Sequence, residues 1–398
     1  MTLTIDEAAI SSGTASAPAD GRVPLSILDL AVVGEGSTGA DAIRASLDLA
    51  VEADRLGYRR VWYAEHHLAP GVASASPAVL AALAAARTTN IRVGSGAVLL
   101  STTSPLVAAE QFGAIAAAHP GRVDLGLGRA FTPPPTSSGA PARRVEPTPA
   151  RVVDGLHVPA SPPFDYNDSE LRERFLAHAR VLATGRQSAD FRSELEVVLA
   201  LRAGELQAEG RPFVSPPVQH ADLDLWVLAS SGGESARVAG ELGLPLAANF
   251  HVSPSSIVET VASYRAAFRP GVLAQPYVTV SVDVLAADTD AEAERLADGF
   301  ADWVLSIRRG PGASTYPRPG TSSALSDADR ALVRDRLETR VVGGPATVVD
   351  RLAVLQRATG ADELLVTTQT HDPADSRCSF ALLADAWSLT PAPAARTR

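Results

Sequence analysis

From Leu25 to Trp387 the chain switches repeatedly between two hydrophobic periods, and this alternation limits its possible folds more than any other feature. Short apolar runs at Leu25–Val33, Arg60–Ala64, Ile91–Leu99, Arg122–Gly128, Leu225–Ala229, Leu246–Phe250, Tyr277–Ala286 and Glu363–Thr368 read as strands. Between and after them, helical spacing covers 41–56, 77–88, 105–119, 234–242, 254–268, 291–308, 326–337, 346–357 and 374–387. In the first of these, Ile43, Leu47, Ala50 and Val51 share one stripe while Arg44, Asp48, Glu52 and Arg55 share the other. Gly57 then reads as its C′ residue. Strands that are apolar on both faces, separated by helices, imply a parallel sheet covered on both sides. Eight such units predict a (β/α)₈ TIM barrel rather than an open doubly wound sheet. The open sheet would carry a G-x-G-x-x-G turn after its first strand, and Gly34–Gly39 (GEGSTG) has the wrong spacing.

One interval breaks the rhythm. Residues 131–189, after the fourth strand, are too proline-rich to be regular for most of their length. A loop that long in a compact domain is functional or disordered, and this one leaves from the C-terminal face, where barrel active sites lie. It is expected to be a lid, the alternative being a solvent-exposed or dimer-contact insertion. Residues 1–22 and 391–398 read as tails around a single barrel domain over 23–390. The N-terminal segment lacks the charged and apolar regions of a signal peptide, and no apolar run nears the roughly 20 residues of a membrane span. A cytoplasmic protein is expected.

Composition removes whole mechanisms. All 35 basic residues are arginine. Without lysine there is no P-loop and no Schiff base. A single cysteine, Cys378, rules out disulfide frameworks, cysteine zinc sites and iron–sulfur clusters. A net charge of −10 without an arginine stripe argues against nucleic acid. Any phosphate must be met by arginine, backbone amides and hydroxyls.

Four segments could carry chemistry. Glu65, His66 and His67 end the second strand. Neighbouring residues on extended chain point to opposite sides, so the two histidines are not expected to share a metal. Either both hydrogen-bond at the strand end, or one enters the barrel mouth as an acid, base or donor. In Val123–Ala130, Gly126 and Gly128 share a face and open room for a flat ligand, while Arg129 at the tip is a phosphate ligand or a surface ion pair. In Leu228–Pro245, Ser230, Ser231, Gly232, Gly233 and Ser235 precede and open a helix, which suits an anion site beyond what a plain N-cap needs. In Val93–Leu100, Ser95, Gly96 and Ala97 either admit a planar ring or mark tight barrel packing.

Taken in order, these segments resemble the bacterial luciferase-like flavin monooxygenases, from Leu25 to Trp387. The likeness is strongest in GYRRVWYAEHHLAPGVASASPAVL, IRVGSGAVLL, SPLVAAEQFGAIAAAHPGRVDLGLGR and SSGGESARVAGELGLPLAANFHVSP. It implies a barrel that holds FMN at its C-terminal face, often as a homodimer. The reduced FMN comes from a separate NAD(P)H:flavin reductase and reacts with molecular oxygen. It further implies His66 as the catalytic histidine that stabilises a flavin 4a-hydroperoxide, and a non-prolyl cis peptide at Gly96–Ala97 beside the flavin. Arg129 would bind the phosphate, with Ser231, Gly232, Gly233 and Ser235 as the phosphate loop, and His251 would be a polar neighbour of the flavin. Two features depart from the luciferases themselves. The insertion after Ala130 is longer, and Gly128 stands where they carry a cysteine, so light emission is not implied. The expected activity is an FMN-dependent monooxygenase acting on a small organic substrate. Alternatives are a deazaflavin-dependent hydride-transfer enzyme, whose relatives carry Gly and Glu where this chain has Ala130 and Phe131, and a non-catalytic flavin-binding protein.

Overall fold

The computed structural model describes residues 21–129, 148–163, 190–309 and 312–391, with isolated helical positions at 173, 177 and 180–182. Eight parallel strands close into a barrel: β1 (Leu25–Asp29), β2 (Arg60–Tyr63), β3 (Arg92–Ser95), β4 (Val123–Gly128), β5 (Leu223–Ala229), β6 (Leu246–Asn249), β7 (Val278–Ala286) and β8 (Glu363–Thr367). Closure is direct, because Leu25 of β1 pairs with Leu364 of β8 and Val123 of β4 with Leu223 of β5. The helices outside are α1 (Gly39–Leu56), α2 (Pro77–Arg87), α3 (Pro105–Ala118), α4 (Phe191–Ala203), α5 (Glu234–Glu241), α6 (Ile257–Ala267), α7 (Asp290–Ala297), α8 (Phe300–Arg309), α9 (Asp327–Thr339), α10 (Pro345–Thr359) and α11 (Pro373–Ala386). The (β/α)₈ barrel expected from the alternation is the fold observed. Among the described residues no helix is long and apolar enough to cross a membrane.

Local chemistry sets the ends of these elements. Thr38 and Asp41 form a reciprocal capping box at the start of α1. Gly57 ends α1 at φ +86°, where a Cβ would also lie 2.3 Å from the Thr390 carbonyl oxygen. Outward-facing Val61, Val93, Val123 and Leu364 pack under the helices, whereas Trp62, Trp226, Leu28, Leu228 and Leu365 fill the interior. The Trp62 and Trp226 rings meet edge-on at 5.1 Å. Below them, at the strand N-termini, Arg60, Arg92, Asp124, Asp224 and Glu363 form a charged floor.

Several expectations need correction. The helix read over 291–308 is two helices, α7 and α8, separated at Gly299 with φ +87°. The strand read over Ile91–Leu99 stops at Ser95 and resumes only for Val98–Leu99, with a cis peptide at Gly96–Ala97 between. Helix α4 was not anticipated, although Phe191, Leu195, Val198 and Leu201 form its buried stripe and Asp190 caps it. Within the insertion, strands Arg151–Val153 and Leu156–Val158 form a hairpin against the outer helices. Arg151 pairs with Glu259 of α6, and His157 reaches Glu338 of α9 at 2.9 Å. Residues 148–163 do not line the barrel mouth. Apart from the helical positions 173, 177 and 180–182, the remainder of the expected lid lies outside the described residues, as do tail residues 1–20 and 392–398.

Candidate active site

At the C-terminal ends of the strands the interior opens into a cavity of about 700 Å³. It lies at the opposite end of the barrel from the charged floor, as barrel geometry dictates for a site built from βα loops. Its apolar lining includes Leu28, Leu30, Leu99, Leu100, Leu228 and Ile307.

One polar wall follows β2. Glu65 lines the cavity and anchors the next segment, accepting from Leu99 N at 2.9 Å and Thr102 Oγ1 at 2.6 Å. His67 lies with it, Nε2 to Oε1 2.8 Å. His66 also lines the cavity, with its backbone fixed by a hydrogen bond from its N–H to Ser74 O at 2.8 Å. Among the described residues its imidazole makes no hydrogen bond, and no cluster of three metal-ligating side chains forms. Partial loss of hydration at the cavity wall pushes the His66 imidazole below the ordinary histidine value, and His67 adds to this while Glu65 opposes it. His251, after β6, also lines the cavity, with Nδ1 2.6 Å from Ser281 Oγ. Burial holds it down to about 4, so it is neutral at ordinary pH.

A second wall follows β3, β4 and β5. Gly96, Ala97 and Gly128 line it. Gly126 does not open ligand space: a Cβ there would lie 2.1 Å from Ser95 O and 2.8 Å from Leu228 Cδ1, so it serves interior packing. Arg129 Nη1 pairs with Glu234 Oε2 at 2.6 Å, and its guanidinium lies 5.4 Å from the Phe191 ring centre. The Arg129 side chain is 46% exposed, so it stays accessible to an anion. Beside it, helix α5 begins at Gly233 with no side-chain cap, so none of its first amides is spent on a capping side chain. Ser231 and Ser235 line the cavity there. Gly232 has a packing role, since a Cβ would meet Glu259 O at 2.8 Å, whereas Gly233 meets only Ser231 Oγ. An arginine, two hydroxyls and an uncapped helix start constitute a donor set that fits a phosphate.

The family of this chain follows from its similarity to known proteins. The profile of the luciferase-like monooxygenases matches residues 23–363. The chain belongs to this family. It is 33% identical over 369 residues to the Escherichia coli (strain K12) protein named luciferase-like monooxygenase, covering 92% of this chain and 97% of that one. The solved structure of apo-MsnO8 superposes with a TM-score of 0.71 at 35% identity, covering 93% of this chain and 100% of that one. The oxygenating constituent of 3,6-diketocamphane monooxygenase from Pseudomonas putida, solved with FMN, shares the fold at a TM-score of 0.62 and 19% identity, over 91% and 97% of the two chains. The chain is therefore an oxidoreductase of the monooxygenase type.

In this luciferase-like monooxygenase the residues that the resemblance pointed to stand at the barrel mouth, whereas Ser95 and Gly126 pack in the interior. His66, Gly96, Ala97, Arg129, Ser231, Ser235 and His251 line one cavity, while Gly232 and Gly233 shape the turn behind it. The sequence reading missed a third wall. Trp303 of α8, Arg336 of α9 and Gln369 after β8 close the cavity on the side of the β7–β8 connection. Arg336 is 6% exposed and its Nη2 donates to Asp283 Oδ2 at 2.9 Å. No sequence signal marks it, because it sits among charged neighbours in an apparently ordinary surface helix.

Proposed function

We propose that this protein is an FMN-dependent monooxygenase that uses reduced FMN and molecular oxygen to oxygenate a small organic substrate. The observation that carries this reading is the convergence of Arg129, the uncapped α5 start with Ser231 and Ser235, and His66 on one cavity. The chemistry that reduced FMN supplies when bound is activation of molecular oxygen, one atom going to the substrate and the other to water.

The protein's part follows from its own residues. Arg129, Ser231, Ser235 and the first amides of α5 hold the phosphate. Ala97, Leu28 and Leu228 offer an apolar bed for a flat ring. The leucines and Ile307 exclude water, which protects a reactive oxygen species from being lost to solvent. Neutral His66 carries one N–H and one free ring nitrogen, so it can donate to a developing oxygen anion and then accept a proton at the other nitrogen. Neutral His251 keeps a second imidazole within the site without adding charge.

The same reading places the protein in the cytoplasm with a separate NAD(P)H:flavin reductase as partner. It also makes the protein a homodimer, a state supported by apolar Val79 and Leu83 of α2 and Leu106 and Val107 of α3, all at least 40% exposed on adjacent helices. Titration with oxidised and with reduced FMN tests the proposal, and absence of micromolar binding to either form would overturn it. Substrate turnover under strict anaerobiosis with a deazaflavin cofactor would instead favour the hydride-transfer alternative.

A further inference from the structure

We infer that Arg336, with Trp303 and Gln369, forms a subsite for a carboxylate on the substrate. The inference rests on the flavin reading above and assigns the part of the cavity that reading does not use.

Arg336 enters from α9 and lines the cavity. Among the described residues only Asp283 receives a hydrogen bond from it, through Nη2, and Nε is buried with no protein partner. A guanidinium carries five N–H donors in a planar fork, so most of this one's capacity is unspent. Trp303 Nε1 and Gln369 Oε1 are likewise buried without protein partners, and both residues line the same cavity. Leaving a buried polar group unmatched costs about 1–3 kcal/mol. Three such groups on one wall of a cavity point to a ligand that satisfies them.

The sign of that ligand follows from the groups around it. Glu65 is tied to Leu99, Thr102 and His67, and Glu194, which also lines the cavity, has interactions of its own. Asp283 accepts from Arg336 through Oδ2, while its Oδ1 is buried without a protein partner. The two cavity histidines add no charge. The wall thus offers more N–H donors than acceptors around one buried cation, which suits a planar anion accepting from the arginine fork. Gln369 Oε1 adds one acceptor, matched to a hydroxyl or amide N–H beside the carboxylate. The position is separate from the phosphate end. Arg129 and the Ser231–Ser235 loop follow β4 and β5, whereas Arg336, Trp303 and Gln369 belong to the β7–β8 side of the closed barrel.

The test uses the full-length FMN-loaded protein and two probe series: butanoate, hexanoate and octanoate, and their methyl esters. Binding is read from the perturbation of the flavin absorbance. At least one acid should bind about tenfold more tightly than its ester, and Arg336→Gln should abolish that preference while leaving FMN affinity unchanged. The pair Arg336→Gln with Asp283→Asn, which leaves no unpaired buried carboxylate, should show the same loss in a protein that folds as the parent does. Equal binding of every acid and its ester, or no saturable binding by any acid, overturns the subsite. So does a weakening of FMN by Arg336→Gln with the acid preference retained. Failure of the parent protein to bind FMN overturns the flavin reading instead, and the acid-to-ester ratio measured by calorimetry without flavin then still decides the subsite.

Discussion

The charged floor of the barrel gives the most quantitative prediction, through Arg60→Met. Arg60 is fully buried and sends Nε and Nη2 to Glu363 at 2.7 and 3.0 Å and Nη1 to Asp124 at 2.8 Å. Its guanidinium also sits 4.7 Å from the Trp226 ring centre. Three hydrogen bonds between charged groups, at about 1.5–3 kcal/mol each, set an upper bound that overshoots. Asp124 keeps two bonds from Arg92 and one from Trp62, and the methionine refills much of the volume. Glu363 is left with the Tyr277 and Ser26 hydroxyls and Arg59 at 3.7 Å. Breaking one partner out of a buried pair costs about 3–5 kcal/mol, and that is the expected loss in unfolding free energy. Urea titration followed by fluorescence reads it directly, because Trp62 and Trp226 flank the site. Adding Glu363→Gln removes the stranded charge and should recover about 2 kcal/mol. The two guanidiniums hold Asp124 down to about 2 against the strong opposing effect of burial. Its contribution is therefore present above the ordinary value of 3.8 and is lost as pH falls from there through about 2. In Arg60→Met this acid loss should be smaller and should finish at higher pH, because one of the two guanidiniums that hold the folded carboxyl down is gone. FMN affinity should not change, since the floor and the cavity lie at opposite ends of the strands. A loss below about 1 kcal/mol, no rescue by Glu363→Gln, or a changed FMN affinity would refute the reasoning.

The remaining predictions concern the cavity. Arg129→Met should weaken FMN about 10- to 100-fold, the equivalent of one charged contact of about 1.5–3 kcal/mol, without affecting riboflavin. Glu234→Gln frees Arg129 from an exposed ion pair worth under about 1 kcal/mol and should tighten FMN about two- to fivefold. Fluorescence titration of both flavins checks the two variants together, and an equal gain for riboflavin would exclude the phosphate as the cause. His66→Ala, supplied by a coupled flavin reductase, should lower oxygenated product about 100-fold or more while hydrogen peroxide rises. An unchanged ratio of product to peroxide would remove His66 from the chemistry. Folded His251 resists protonation down to about 4, whereas the unfolded imidazole takes up a proton near 6.5. Stability should therefore fall as pH drops from 6.5 to 4, and His251→Asn should flatten that limb of the melting-temperature profile.

What could be read from the sequence follows from how locally each feature is encoded. The strand–helix alternation and the Gly57 stop are written in contiguous residues, and the fold matches them. The proposed phosphate end is encoded as locally, with Arg129 at the tip of one strand and Ser231–Ser235 following the next. Arg129 shows the limit of a local reading. Ligand and ion pair were posed as alternatives, yet the guanidinium is both paired with Glu234 and open to the cavity. Gly126 fails for the opposite reason: its face was assigned correctly, but the facing atoms, Ser95 O and Leu228 Cδ1, come from neighbouring strands. Arg336 is less legible still. Helix α9 reads DADRALVRDRLET, where charge outweighs any apolar stripe, and the arginine's burial depends on Asp283, 53 residues away on β7. The groups assigned to a cofactor thus lie in segments whose local pattern reveals them, whereas the wall assigned to the substrate is assembled from a strand, two helices and a loop around the β7–β8 crossover. That division follows from the fold itself. A barrel repeats its βα units and so fixes where each strand tip must stand, but it leaves the long β7–β8 connection free in length and composition, and there only the assembled chain shows which charge is buried.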